Sequence, residues 1–249
     1  MKIVQNFHMH IASIEKLMNF DHEVLDLAIT SLRDVRDKLA QHPEHGNLKQ
    51  SADRKLKLLE NIRHNDSLRH RYETIFNQAL VLLVSYFSSS MHDLFCQGVR
   101  EVLARESESA LLREQFRLTF RELRDAEFDL SERAPDLLVQ SKDISFQDMQ
   151  SIGRAFKDYL DITLDRNDTV NDIILGLSCR HAIVHTGGLA DDRFMRQVAS
   201  AIPRRVKATF APAERIQFTD TEVLNIANSM VKYVTSGVAK VTKKFGLEI

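Results

Sequence analysis

Tryptophan is absent from the 249 residues, while cysteine occurs twice, proline four times and glycine eight times. Two cysteines cannot build a disulfide scaffold, and Cys179 sits inside an apolar helical pattern. Both Cys96 and Cys179 are therefore expected to act as small buried hydrophobes, with no thiolate metal site. The longest unbroken apolar run, Ala79 to Val84, falls far short of the ~20 residues a membrane-spanning helix needs. No apolar signal-peptide core opens the chain, so the expectation is a cytoplasmic protein with no membrane partner. Glycine loops of the Walker or dinucleotide-binding type are missing, as is the glycine-flanked serine of a hydrolase elbow. Nucleotide hydrolysis and acyl transfer thus have no basis here. Charge of one sign is not in excess either: 34 Lys and Arg against 35 Asp and Glu give a formal net charge of −1. Any affinity for a polyanion has to be local.

What is present is 43% apolar residues, enough for a substantial core, arranged mostly at helical spacing. From about His10 to Gln41, Leu17, Phe20, Val24, Leu27, Ala28, Leu32, Val35 and Leu39 mark one long helix or two consecutive ones, ended at His42-Pro43-Glu44-His45-Gly46-Asn47. A basic, largely exposed helix follows at about 48–62, with a cap offered by Asn65-Asp66-Ser67. Residues 68–105 are the most apolar of the chain and predict the central core helix, about 55 Å long at ~1.5 Å per residue unless Ser88-Ser89-Ser90 bends it. The charge-rich stretch 107–143 reads as an insert, with a helix at 111–125 and a loop around Pro135. Ser145-Phe146-Gln147-Asp148 resembles a capping box ahead of a helix at 149–164, and another helix starts near Asp168. A short helix is expected at 191–201. Val206 to Phe210 and Arg215 to Phe218 alternate about Ala211-Pro212-Ala213-Glu214, which predicts a small β-hairpin. Thr219-Asp220-Thr221-Glu222 caps a final helix at 222–245. The fold class is all-α, predominantly helical, in one domain over 1–249 with that hairpin near the C-terminal third.

The most informative stretch is Ser178-Cys179-Arg180-His181-Ala182-Ile183-Val184-His185-Thr186-Gly187-Gly188. It ends an apolar-periodic helix with three ionisable side chains, and the paired glycines supply the positive φ that stops it. At 100° per residue, Ile173, Ile174, Leu177 and Val184 fall within about 60° of one line, with His181 near its centre and Arg180 and His185 on its flanks. A basic group follows: Arg193, Arg196, Arg204, Arg205 and Lys207, partly offset by Asp191 and Asp192. It reads equally as a polyanion-binding patch or as a solvated face. His181 and His185 stand at i, i+4, a spacing suited to two metal-bound imidazoles. The residue after His181 is Ala182 rather than a glutamate base, and no third-ligand cluster stands out, so no metal or cofactor is expected.

Arg180, polar His181, three further residues and His185 near the end of a late helix resemble the signature of the HEPN superfamily. The Asn-Gln-Ala-hydrophobic helix from Asn77 to Phe87 resembles the early core helix of its RiboL-PSP-HEPN subgroup. The resemblance implies a HEPN-like helical bundle. It also implies a homodimer joined through the motif helix, in which two protomers make one metal-independent endoribonuclease site on an RNA substrate. His185 would take the proton of the 2′-hydroxyl, Arg180 would stabilise the phosphorane, and His181 would orient a phosphate or water, act as a second acid, or simply be a satisfied core or interface histidine. Such proteins act in toxin-antitoxin or phage-defence settings, so an antitoxin or defence partner is implied as well. Toxins of this kind that are silenced by adenylylation carry Tyr two residues after the motif histidine; Gly187 stands there, which puts that control in doubt. The superfamily also contains modules that bind RNA, nucleotide or protein without cutting, and that alternative stays open.

Overall fold

The computed structural model describes residues 2–41, 46–64, 69–105, 109–127, 130, 132–207 and 209–247. It is predominantly helical. In chain order the elements are α1 (Lys2–Ala40), α2 (Gly46–His64), α3 (Arg69–Arg105), a 3₁₀ turn (Ala110–Arg113), α4 (Phe120–Asp125), α5 (Ala134–Ser141), α6 (Met149–Leu160), α7 (Asp168–His185), α8 (Asp192–Ala199) and α9 (Asp220–Phe245). Of the break expected at 42–47, residues 42–45 lie outside the described residues while Gly46 and Asn47 already begin α2; the cap expected at 65–67 lies outside the described residues.

The hub is α3, which meets α1, α5, α6, α7 and α9. It buries Leu80, Leu83, Phe87, Met91, Leu94, Phe95 and Val102 completely and runs unbroken through Ser88-Ser89-Ser90. By length and composition its segment Thr74–Arg105 is apolar enough to cross a membrane; 56% of its most apolar window is buried inside the molecule, as befits the middle helix of a bundle. Only the first half of α1 joins this core, through Phe7, Ile14 and Met18. The second half leaves it and pairs with α2. Ile29, Ala52 and Leu56 are buried there apart from the main core, and Arg33 reaches Glu60 at 2.6 Å across the same pair.

Three local expectations are corrected. The helix expected at 111–125 is a 3₁₀ turn, an extended segment and the short α4, whose N-cap Thr119 is closed by Glu122 in a capping box. Pro135, expected in a loop, instead lies in the first turn of α5, where its missing N–H leaves no bond unmade. The cap of α6 is Asp148 alone, accepting from Ser151 N at 2.7 Å, and the helix stops at Leu160 because Asp161 turns left-handed (φ 47°).

The β-hairpin expected at 206–218 is not formed among the described residues. Arg215 pairs instead with Leu189 in an isolated antiparallel bridge, supported by Ile216 N donating to Gly188 O at 2.8 Å and Ala190 N donating to Glu214 O at 2.8 Å. The backbone groups a hairpin would use are taken by α3: Asn77 Nδ2 donates to Ile216 O (2.9 Å) and its Oδ1 accepts from Phe218 N (3.2 Å). The apolar positions still carry weight, since Val206, Ile216 and Phe218 are buried and Phe210 is half-buried. They report burial beside the core rather than strand pairing.

Candidate catalytic cleft at the end of α7

Asn167 caps α7 through Thr169 N, and the helix then passes between α3 and α9. Gly176 permits the close approach to α9, because a Cβ there would lie 3.1 Å from Ile226 Cγ2. From Val170 through Cys179 the helix is buried almost all round, at Val170, Asp172, Ile173, Leu175, Gly176, Leu177, Ser178 and Cys179, and again at Ala182 in its last turn. At the far end Gly187 (φ 68°) and Gly188 (φ 77°) take the left-handed conformation. Ala182 O there accepts from Thr186 N at 2.9 Å and Gly188 N at 3.0 Å.

This burial pattern revises the expected stripe. The face centred on His181 points only partly into the core: Ile173 and Leu177 are buried in it, Ile174 and His181 are half-buried and Val184 is 49% exposed. It borders a cleft of about 530 Å³ whose lining includes Arg180 and His181 from α7, Arg193 from α8, and Arg154 with Gln147 from α6 and its approach. Arg180 also lines a smaller neighbouring hollow of about 200 Å³ with Ser85, Ser88 and Gln147. The cleft therefore carries three guanidinium groups. The carboxylate it contains, Asp148, is occupied in capping α6.

His185 lies one turn beyond His181, exposed, with ring centroids 4.7 Å apart and planes tilted by 46°. It is not part of the cleft lining. Arg180 and His181 thus share a cavity within one chain, and His185 flanks it. The pKa of His181 is lowered, first by burial and then by the facing Arg193 and neighbouring His185, so near neutrality this ring is an uncharged donor and acceptor. Among the described residues no third His, Cys, Asp or Glu joins the two imidazoles as a metal-ligating group.

The basic group divides. Arg193 faces the cleft and Arg196 is exposed on the same short helix, which Asp191 caps by accepting from Phe194 N at 2.7 Å. Arg204 turns inward, donating to Lys207 O (2.7 Å), Val198 O (2.8 Å) and Ala201 O (3.2 Å) beside the Phe210 ring. Arg205 reaches the fully buried Asp172 at 3.2 Å and Ser229 Oγ at 3.1 Å. Lys207 lies 3.4 Å from Glu222 and over the Phe218 ring. These last three residues hold the 201–218 segment onto α7 and α9 and do not face the cleft. Sequence reasoning missed Arg154, Gln147 and Ser151. The signal was there, since Gln147, Gln150, Ser151 and Arg154 form a polar row at i, i+3, i+4 and i+7. Such a row on a surface helix is indistinguishable from a solvated face until a second helix is set opposite it.

No family model, no curated protein and no solved structure matches this chain.

Proposed function

We propose that the protein is a metal-independent endoribonuclease of HEPN type, acting as a homodimer. The observation that carries this reading is the convergence of Arg154, Arg180, His181 and Arg193 on one cleft, beside which His185 stands exposed. Guanidinium groups suit a phosphodiester because each donates in a planar fork to two phosphate oxygens. In the proposed reaction His185 accepts the proton of a ribose 2′-hydroxyl. That oxygen forms a bond to the adjacent phosphorus, and the bond from phosphorus to the 5′-oxygen breaks. The leaving oxygen collects a proton from the imidazolium of a second protomer. The products are a 2′,3′-cyclic phosphate and a 5′-hydroxyl. Arg180 and Arg193 stabilise the charge gathered on the phosphorane, and neutral His181 orients a phosphate or water.

Second-protomer participation is supported by the position of His185 outside its own chain's cleft. Val184 and Leu189, exposed at 49% and 46%, flank His185 and supply an apolar contact around a two-fold axis. A toxin or phage-defence role, with a partner that restrains the enzyme, fits a nuclease of this kind. The second reading, a module that binds RNA, nucleotide or protein without cutting it, is favoured by that same separation of His185 from the cleft in a single chain.

The deciding experiment is incubation of the folded chain, its helicity verified in EDTA, with a mixed RNA pool. Cleavage in EDTA leaving 2′,3′-cyclic or 3′-phosphate ends, with no attack on DNA or 2′-O-methyl RNA, is the expected result. RNA retained with intact ends would select the binding module, and cleavage strictly dependent on added Mg²⁺ or Zn²⁺ would overturn the proposed chemistry.

A further inference from the structure

Away from the cleft, at the seam between α3 and α5, three potential metal ligands from two helices point at one another. His92 and Cys96 stand one turn apart on α3, and Asp136 comes from the first turn of α5. His92 Nε2 lies 3.6 Å from Cys96 Sγ and 3.6 Å from Asp136 Oδ1, and Sγ lies 3.9 Å from that same Oδ1. The nitrogen-to-oxygen separation is too long for a direct hydrogen bond, which needs about 2.7–3.2 Å. The triangle has the size of a coordination face instead. Zinc bonds of ~2.3 Å to sulfur and ~2.0–2.2 Å to nitrogen and oxygen, at tetrahedral angles, put N···S, N···O and S···O edges at about 3.6, 3.4 and 3.6 Å.

The surroundings fit as well. Cys96 is buried, the His92 side chain is one-third exposed and Asp136 is two-thirds exposed, so a cation has a path from solvent and a fourth position open to water. Asp93 Oδ1 lies 3.5 Å from His92 Nδ1, which puts a carboxylate beside the ring's other nitrogen, outside direct hydrogen-bond distance. The Phe146 ring meets His92 edge-on, with centroids 5.3 Å apart and planes at 84°, and walls one side with apolar surface. We propose that His92, Cys96 and Asp136 bind one divalent cation of the zinc class, which ties α5 to α3.

Binding forms bonds from the metal to Sγ, to an imidazole nitrogen and to a carboxylate oxygen, and releases the thiol proton to solvent without any change of oxidation state. The tie joins residues 40 apart in sequence and closes the loop that holds the 3₁₀ turn and α4. It also fixes the His92 ring on which Phe146 packs, and Ser145 and Gln147, on either side of Phe146, line the cleft. The cation has a structural role and takes no part in the proposed RNA chemistry.

The test is titration of the full chain, stripped of metal by chelation and dialysis, with Co²⁺. One equivalent should bind, giving a thiolate-to-cobalt charge-transfer band and tetrahedral d–d bands, and Zn²⁺ should displace it. Zn²⁺ should also raise Tm until one equivalent is bound. Cys96→Ala should abolish the charge-transfer band while Cys179→Ala keeps it, and His92→Gln and Asp136→Asn should each weaken Co²⁺ binding at least about tenfold. Absence of the band in the wild-type chain, or its survival in Cys96→Ala, would overturn the proposal. The wild-type titration needs no variant to fold and no RNA, so its outcome is separate from that of the cleavage assay.

Discussion

Removal of the Arg180 guanidinium or the His185 imidazole should each lower RNA cleavage by ~10² to 10⁴, the usual contribution of one positioned acid-base group or preorganised donor. Neither side chain is buried, so circular dichroism of Arg180→Ala and His185→Ala should match the wild type. Near-normal cleavage by either variant would refute its assigned role. For His181 the prediction concerns pH. Burial and Arg193 hold its pKa below the usual 6.5, so just under that pH the unfolded chain binds more protons than the folded one. The corresponding stability is complete above about pH 6.5 and is lost as pH falls through that window. Relative to His181→Gln, the wild type should therefore lose Tm on acidification from about pH 7 to 5, and parallel Tm profiles would exclude this linkage. The two arginines Arg193 and Arg205 should behave oppositely. Arg205→Ala strips the buried Asp172 of its cation and should destabilise the fold by about 2 kcal/mol in denaturant unfolding, leaving the salt dependence of RNA binding unchanged. Arg193→Ala should leave stability alone and reduce the slope of log K against log salt by about 0.7.

At the scale of elements, the cleft depends on how closely α7 lies against α9. Gly176→Val would drive two methyl groups into Ile226 and Met230, whose atoms a Cβ already meets at 3.1 and 3.5 Å. A loss of about 1–3 kcal/mol is expected, with RNA affinity falling as Arg180 shifts relative to Arg154; unchanged stability and affinity would mean that the packing is looser than described. Helix identity was largely legible from the chain. The Thr219 and Glu222 side chains make the capping box their spacing announces, at 3.2 and 2.9 Å, and Gly246 (φ 61°) closes the same helix. Elements failed to be legible where a local signal has two physical meanings. Proline marks either a loop or a first helical turn, and Pro135 was the second. Apolar alternation marks either a paired strand or an irregular segment that lays a few apolar side chains on the core, and residues 206–218, of which Val206, Ile216 and Phe218 are buried, were the second.

For the molecule as a whole, the proposed composite site predicts a homodimer by light scattering. Val184→Asp, which places a charge on the exposed apolar rim beside His185, should give monomers that are folded and inactive; a monomer that still cuts RNA would refute the composite site. The placement of the long helices was written locally, because capping, glycine conformation and apolar period act over a few residues, although α1 starts at Lys2, about two turns ahead of the expected His10. That Arg180, His181 and His185 stand on the last two turns of a late helix was likewise readable. What the chain could not state was which surfaces those helices turn toward one another. The face carrying His181 reads as a core stripe by periodicity, and only the positions of α6 and α8 make it the wall of a cleft that includes Arg154 and Arg193. Arg204, Arg205 and Lys207 read as a basic patch, and only packing gives them internal partners. His92 and Cys96 lie one turn apart in plain view, while Asp136 stands 40 residues away from the thiol. That third group is brought into place by the burial of Leu138 on α5 and Phe146 against α3, a consequence of core packing that no local pattern encodes.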